Sequence, residues 1–216
     1  MKEQLEAELY CDPFPMMIVY NFYNEAELKL IWKELDFYTA PNKLLDAKKY
    51  GGVVDRTNAK ALLLDDIYRD RTKEKEKTNF RNISNILTMN RKIFNCGVLD
   101  TFSEIHDCVS LANQTNWDVT KVRYYHNDEY YDPHTDSPFQ FLAFSYFYKE
   151  PKKFKGGDLQ FPKYKMNLPC ENNSLIIFPG WVEHGVRRVK IEDSDYYDGY
   201  GRYAITSFFG IKESKR

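Results

Sequence analysis

Residues 117–136 read WDVTKVRYYHNDEYYDPHTD, a run of β-branched and aromatic residues that passes through a polar turn into His134-Thr135-Asp136. Downstream, segments of the same character recur at Phe139–Tyr148, Asp158–Phe161, Ser174–Phe178, Gly185–Val189 and Arg202–Phe209. Such residues suit pleated, buried surfaces, and turn residues separate the segments. From Trp117 onward the chain therefore reads as an antiparallel sandwich or barrel.

Upstream the pattern differs. Residues 12–20 (DPFPMMIVY) predict a short strand after a proline turn. Asn24 can cap a helix that Glu27 answers three residues on, and Leu28, Ile31, Trp32 and Leu35 supply its apolar stripe. Residues 40–80 are irregular, with Gly51-Gly52, an apolar patch at Ala61–Leu64 and the run RDRTKEKEK from Arg69 to Lys77, which reads as a solvated loop. Two helices are predicted next, one carrying Ile83, Ile86, Leu87, Ile93 and Phe94, the other Phe102, Ile105, Val109 and Ala112. A length of 216 residues fits one domain, 1–216, with helical support over about 1–116 and a β core over about 117–210. The helices would buttress one outer face of the sheet.

The 31 basic residues nearly cancel 32 acidic ones, which leaves no global field to draw the chain to phosphate backbones or anionic lipid. Nucleic acid is not the expected partner. Cys11, Cys96, Cys108 and Cys170 show no CxxC spacing and read as free thiols in a reducing compartment. MKEQLEAELY lacks the apolar centre of a signal peptide, and no stretch reaches the length of a membrane helix. A cytoplasmic location away from membranes is expected.

Chemistry concentrates at three places. His134 and Asp136 lie two apart, a spacing that puts both on one face of an extended strand. His184, in FPGWVEHGV, follows the apolar strand SLIIFP and can supply a third ligand from elsewhere in the sheet. Two histidines and a carboxylate suit non-heme iron(II) with open positions, although zinc accepts the same donors. The third place is the strand RYAITSFFG, where Arg202, Ala204, Thr206 and Phe208 share one face. An arginine on a core strand is costly without an anion. A dicarboxylate would satisfy it through a bidentate contact, and so would an aspartate of the preceding DSDYYDGYG loop.

Taken in order, Tyr125, Tyr131, His134 and Asp136, then GGDL at Gly156–Leu159, FPGWVEH at Phe178–His184 and RYAIT at Arg202–Thr206 closely resemble the prolyl 4-hydroxylase branch of the iron(II)- and 2-oxoglutarate-dependent dioxygenases. The likeness spans about residues 117–210, and DPFP followed by a helix is similar to the family's N-terminal start. The resemblance implies an α+β fold with a mainly β core, a double-stranded β-helix of the jelly-roll or cupin-like kind with N-terminal helices buttressing one sheet. It implies iron(II) on His134, Asp136 and His184, with 2-oxoglutarate and dioxygen as cosubstrates and ascorbate in support. Arg202 would hold the distal carboxylate of 2-oxoglutarate, with Tyr131 the first choice for a helping hydroxyl. Tyr125 or its neighbour Tyr124, Tyr146 or Tyr148, and Thr206 would line the pocket, unless the tyrosines are aromatic core.

The implied reaction is hydroxylation of a proline in a peptide or protein, with succinate and carbon dioxide as coproducts. A hydroxylase of a free amino acid or other small molecule is the alternative, and a catalytically silent metal-binding module on the same fold is another. Asp136 argues against halogenation, because related halogenases lack that carboxylate. Phe208 stands where nucleic-acid demethylases of the superfamily carry a second arginine. Two departures bear on the substrate: Arg202 replaces the lysine usual in collagen-type members, and the gap from His184 to Arg202 is long, with IEDSDYYDGYG inserted before the strand. Tyr196, Tyr197 and Tyr200 in that loop would grip a peptide or cover the barrel.

Overall fold

Strict alternation along Arg202–Gly210 divides the molecule, sending Tyr203, Ile205 and Phe209 to a helical layer and Ala204 and Phe208 to a second core between two sheets. The computed structural model describes residues 6–40, 43–46, 56–68, 80–192 and 195–212. Gly51-Gly52 and the charged run from Arg69 to Lys77 lie outside the described residues.

The strands in chain order are β1 (Glu6–Tyr10), β2 (Met16–Tyr20), β3 (Leu45–Asp46), β4 (Lys60–Leu63), β5 (Trp117–Tyr125), β6 (Tyr131–His134), β7 (Phe141–Phe147), β8 (Phe154–Gly156), β9 (Leu159–Phe161), β10 (Met166–Leu168), β11 (Ser174–Pro179), β12 (His184–Val186), β13 (Val189–Ile191) and β14 (Arg202–Gly210). The large sheet runs β1-β2-β11-β7-β14-β5-β4-β3 and the small one β10-β9-β12-β6, while β13 pairs with β8. Every pairing is antiparallel. The predicted segments from Trp117 onward fall on strands, with ends moved by a few residues. Gly185–Val189 divides into β12 and β13, the extended strand read at His134 is β6, and β8 and β10 were not among the predicted strands. Ala61–Leu64, read only as an apolar patch, forms most of β4, which pairs with β5.

Helix α1 (Glu25–Tyr38) begins at Asn24 with the reciprocal cap that the sequence predicts. Asn24 Oδ1 accepts from the Glu27 amide at 3.0 Å, and Glu27 Oε2 accepts from the Asn24 amide at 2.9 Å. The two longer helices expected after it are broken. After α2 (Leu64–Ile67), the first becomes a 3-10 turn at Arg81–Ile83, then α3 (Asn85–Asn90) and α4 (Lys92–Asn95). The second is α5 (Val98–Ser103) followed by 3-10 turns at Asp107–Val109 and Ala112–Gln114. Ser84 restarts the chain as the cap of α3, and Gly97, at φ +73°, separates α4 from α5. The apolar spacing survives the breaks: Ile86, Leu87, Ile93, Phe102, Val109 and Ala112 are buried against the large sheet, whereas Ile83 is exposed. Among the described residues no helix is long and apolar enough to cross a membrane.

Polar groups join this layer. Asn90 donates to Ser207 Oγ on β14 at 2.6 Å and accepts from Tyr23 Oη at 3.1 Å. The buried Glu34 of α1 accepts from Ser84 Oγ at 2.7 Å, the Ile86 amide at 2.8 Å, Tyr38 Oη at 2.6 Å and Tyr68 Oη at 3.0 Å. Glu34→Ala leaves these donors in a dry layer, and we expect it to lower stability by about 3 kcal/mol in urea denaturation. A loss under about 1 kcal/mol would show that water takes over the donors.

Candidate active site

β6 and β12 pair with His134 directly opposite His184, so one antiparallel register brings together two imidazoles from residues fifty positions apart in the chain. Their ring centroids are 4.5 Å apart. β6 stops at His134, and Asp136 sits in the turn beyond rather than on an extended strand. That turn is fixed by the Asp136 amide donating to the Gly180 carbonyl at 2.9 Å and by the Phe139 amide donating to the Asp136 carbonyl at 2.9 Å. Asp136 Oδ2 lies 3.7 Å from His134 Nε2 and 3.6 Å from His184 Nε2. All three donor atoms fall within 4.8 Å of one another, a spacing that can hold a metal ion.

The surroundings set the chemical form of the ligands. His134 Nδ1 is 2.9 Å from the Asp132 carbonyl and His184 Nδ1 is 3.0 Å from the Val182 carbonyl. A carbonyl only accepts, so each Nδ1 carries the proton and each Nε2 presents its lone pair to the shared point. Tyr131 stacks on His134 at 3.9 Å, and Phe144 and Phe178 pack on His184 at 5.4 and 5.1 Å. Burial is the main reason both rings stay neutral: it holds His184 down at about 3 and moves His134 below its ordinary value, against the pull of Asp136.

Across the same cavity stands Arg202, 1 % exposed, at the start of β14. Its Nε and Nη1 are buried without a hydrogen-bond partner, as is the hydroxyl of Tyr146. The guanidinium sits 4.4 Å from the Tyr146 ring and 4.9 Å from the Tyr125 ring. No ion pair among the described residues involves Arg202, Asp195 and Asp198 of the preceding loop included. Gly157 explains the Gly-Gly motif: it holds φ +73°, and a Cβ there would lie 2.8 Å from Arg202 Cδ.

Tyr125, Tyr131, Tyr146 and Thr206 all line this cavity. Tyr124 turns the other way, packing on Tyr203 and Tyr196 in the helical layer. Tyr148 packs against Phe154 away from the cavity lining. Tyr146, rather than Tyr131, is the tyrosine beside Arg202 with a free hydroxyl. The loop tyrosines are placed for cover: Tyr196 and Tyr200 are half-buried, and Tyr197 alone is exposed. Their loop leads into Arg202, whereas the Asp136 turn is tied to the far end of β14 by the Gln140 amide on the Phe209 carbonyl. Sequence reasoning missed Arg123, Phe144 and Val186 as cavity residues and Lys121 beside Phe208. The period-two alternation from Tyr125 back along β5 carries the signal for Arg123 and Lys121.

Residues 120–210 match the family model described as 2OG-Fe(II) oxygenase superfamily. Among solved structures, a prolyl hydroxylase from Trichoplax adhaerens in complex with a hypoxia inducible factor peptide fragment is similar at TM-score 0.60 and 12% identity, covering 90% of this chain and 82% of its own. A prolyl-4-hydroxylase from Pseudomonas putida is similar at TM-score 0.54 and 15% identity, covering 92% and 93%. The viral collagen prolyl hydroxylase of Paramecium Bursaria Chlorella virus-1, solved with 2OG, is similar at TM-score 0.50 and 15% identity, covering 92% and 97%. At these identities the likeness establishes the fold, the double-stranded β-helix that the sequence implies. No curated protein matches the chain at the level of sequence.

Two outcomes follow from the neutral, oriented imidazoles. Calorimetric titration with iron(II) under anaerobic conditions should give one site that His184→Ala abolishes, and retained binding would remove His184 from the ligand set. The second concerns acid. A histidine depressed in the folded state takes up its proton more readily when unfolded, so its contribution is complete above the ordinary histidine value near 6.5 and is lost as pH falls. The stability of the metal-free protein relative to His184→Asn should fall by up to about 1.4 kcal/mol per pH unit below about 6.5. A difference that stays flat from pH 7 to 5 would contradict burial of the neutral ring.

Proposed function

We propose that this chain, whose residues 120–210 match the 2OG-Fe(II) oxygenase superfamily model, is an iron(II)- and 2-oxoglutarate-dependent oxygenase that hydroxylates a prolyl residue within a peptide or protein. The observation that carries the reading is the pairing, across one cavity, of a His-Asp-His set with a buried arginine that lacks a counterion. The donor set fits iron(II), and the unpaired Nε and Nη1 of Arg202 with the unpaired Tyr146 hydroxyl fit the distal carboxylate of 2-oxoglutarate. Bound there, iron(II) with 2-oxoglutarate and dioxygen supplies the oxidising power to convert C–H to C–OH, leaving succinate and carbon dioxide.

The chain's own residues do the rest. Arg202 and Tyr146 fix one end of the cosubstrate, and Thr206 is the nearest cavity hydroxyl on the same strand face. Ala204 keeps the wall between them low. Phe208 lines the cavity and packs on Phe139 at 4.9 Å, on which Trp117 stacks at 5.8 Å, an apolar surface beside the Asp136 turn that suits a pyrrolidine ring. Asp136, with 22% of its side chain exposed, is the most open of the three ligands, so substrate reaches the centre from its side. Prolyl specificity is supported by the solved relatives, one of them holding a peptide. The cysteines, all unpaired, support a reducing, cytoplasmic setting.

Mass spectrometry of proline-containing peptides incubated with the protein, iron(II), ascorbate and 2-oxoglutarate should find one added oxygen on proline. Succinate formation with no oxygen on any prolyl probe would leave the oxygenase and remove the prolyl substrate. Arg202→Ala should raise the requirement for 2-oxoglutarate at least about thirty-fold, from loss of a buried charge-assisted contact. Arg202→Lys should recover part of it, a point charge in place of the fork. Gly157→Ala should raise the same requirement with the arginine intact, because it displaces the guanidinium, and an unchanged requirement would place the anchor elsewhere.

A further inference from the structure

β5 puts two more cations on the cavity side of the large sheet. Arg123 lies opposite Ala204 in the register with β14, and Lys121 lies opposite Thr206. The wall thus passes from the Arg202–Tyr125 pair to Ala204–Arg123 and then Thr206–Lys121, each step about 7 Å nearer the metal end. Small Ala204 leaves room for the Arg123 guanidinium, which stands 4.6 Å over the Tyr131 ring, itself stacked on His134. Arg123 is 7 % exposed and its Nη1 is buried without a partner. Lys121 Nζ lies 5.0 Å from the Phe208 ring, and burial, ahead of repulsion by Arg123, lowers its ammonium to about 8. Among the described residues neither cation makes an ion pair.

Charge balance identifies what is missing. Counting iron(II), Arg202, Arg123 and Lys121 against Asp136 and doubly charged 2-oxoglutarate leaves two positive charges uncompensated in a largely buried space. Like charges confined in a low dielectric are unfavourable until an anion joins them. The cosubstrate is already counted, so the remaining anion belongs to the other reactant.

We propose that Arg123 and Lys121 form a second anion site facing the metal centre, which binds a carboxylate of the primary substrate and so selects an acidic one. This rests on the oxygenase reading and adds the charge of the substrate to it. The carboxylate is either an aspartate or glutamate side chain beside the target residue of a peptide or the α-carboxylate of a free amino acid.

The test has one arm without turnover and one with it. In the first, protein loaded with manganese(II) and saturating 2-oxoglutarate should enhance the proton relaxation of acetate. The enhancement should fall about tenfold in Lys121→Gln/Arg123→Gln and be partly kept in Arg123→Lys, with circular dichroism confirming that each variant folds. Equal relaxation in wild type and double variant overturns the site. In the second, the iron(II) enzyme is given capped Asp-Pro and Pro-Asp peptides against their Asn counterparts, and L-proline against L-prolinamide. The acidic member should lead by about thirty-fold in kcat/KM, and the double variant should narrow that lead to about threefold or less. Preference within the peptides assigns the carboxylate to a side chain, and preference for proline assigns it to a free amino acid. A double variant that keeps the acid preference and raises only the 2-oxoglutarate requirement overturns the proposal, because the cations then serve the cosubstrate. If no prolyl probe reacts while the acetate effect depends on Arg123 and Lys121, the anion site stands and the prolyl reading falls. If acidic and neutral probes react alike, the prolyl reading stands and the anion site falls.

Discussion

A guanidinium enclosed by protein with two nitrogens unpaired is costly in any fold, and the arrangement around Arg202 follows from keeping it there. β14 has β5 and β7 on either side along almost its whole length, so the strand that carries the charge is held more firmly than any edge strand could be. The Tyr125 and Tyr146 rings supply cation–π contacts that offset part of the desolvation. Gly157 supplies the space, at a backbone angle that a residue with a Cβ rarely adopts. These features hold the charge without neutralising it, as an anion site requires. Some stability is given up so that a ligand finds a prepared partner.

The proposed metal ligands, His134, Asp136 and His184, obey a different constraint. His134 and His184 face each other across the β6–β12 pairing of the small sheet, and Asp136, in the turn after β6, is tethered to Gly180. Neutrality and orientation come from carbonyl acceptors at each Nδ1, and rigidity from Tyr131, Phe144 and Phe178. The two halves of the site therefore belong to different sheets, and the distance between them is set by the residues packed between the sheets. The helices act at one remove. The Glu34 network ties the helices to one another, and Asn90 ties them to Ser207 on the outer face of β14, the strand from which Arg202 projects.

How much of this the sequence disclosed depended on which period governed each segment. Along Arg202–Gly210 period two was unbroken, and the inward set of Arg202, Ala204, Thr206 and Phe208 could be read directly. The Asn24–Glu27 cap was equally legible, being local. The helices after Ile83 were not, because spacings of three and four survive interruptions and a 3-10 turn keeps the same apolar face. The tyrosines required tertiary information. Tyr124 and Tyr125 are adjacent and aromatic, and only pairing with β14 settles that Tyr125 turns inward. Tyr131 was favoured for its distance from His134, but that same closeness gives it to the imidazole as a stacking partner. The loop tyrosines were legible as aromatic but not as to which end of the barrel they occupy.

Cations sharing one cavity do not act independently. Arg123 lies close enough to contribute to holding both ligand histidines below their ordinary values, and the same repulsion acts on any metal cation that approaches them. Asp136 is the sole carboxylate among the cavity-lining residues, so the protein alone undercompensates a divalent ion. An anion on Arg202 relieves that repulsion, and a carboxylate between Arg123 and Lys121 relieves more of it. Because linkage is reciprocal, whatever the metal gains from each anion the anion gains from the metal. With the proposed occupants in place, the excess positive charge on β5 and β14 would couple metal, cosubstrate and substrate without a moving part, and would disfavour a metal centre loaded in the absence of the molecules it acts on.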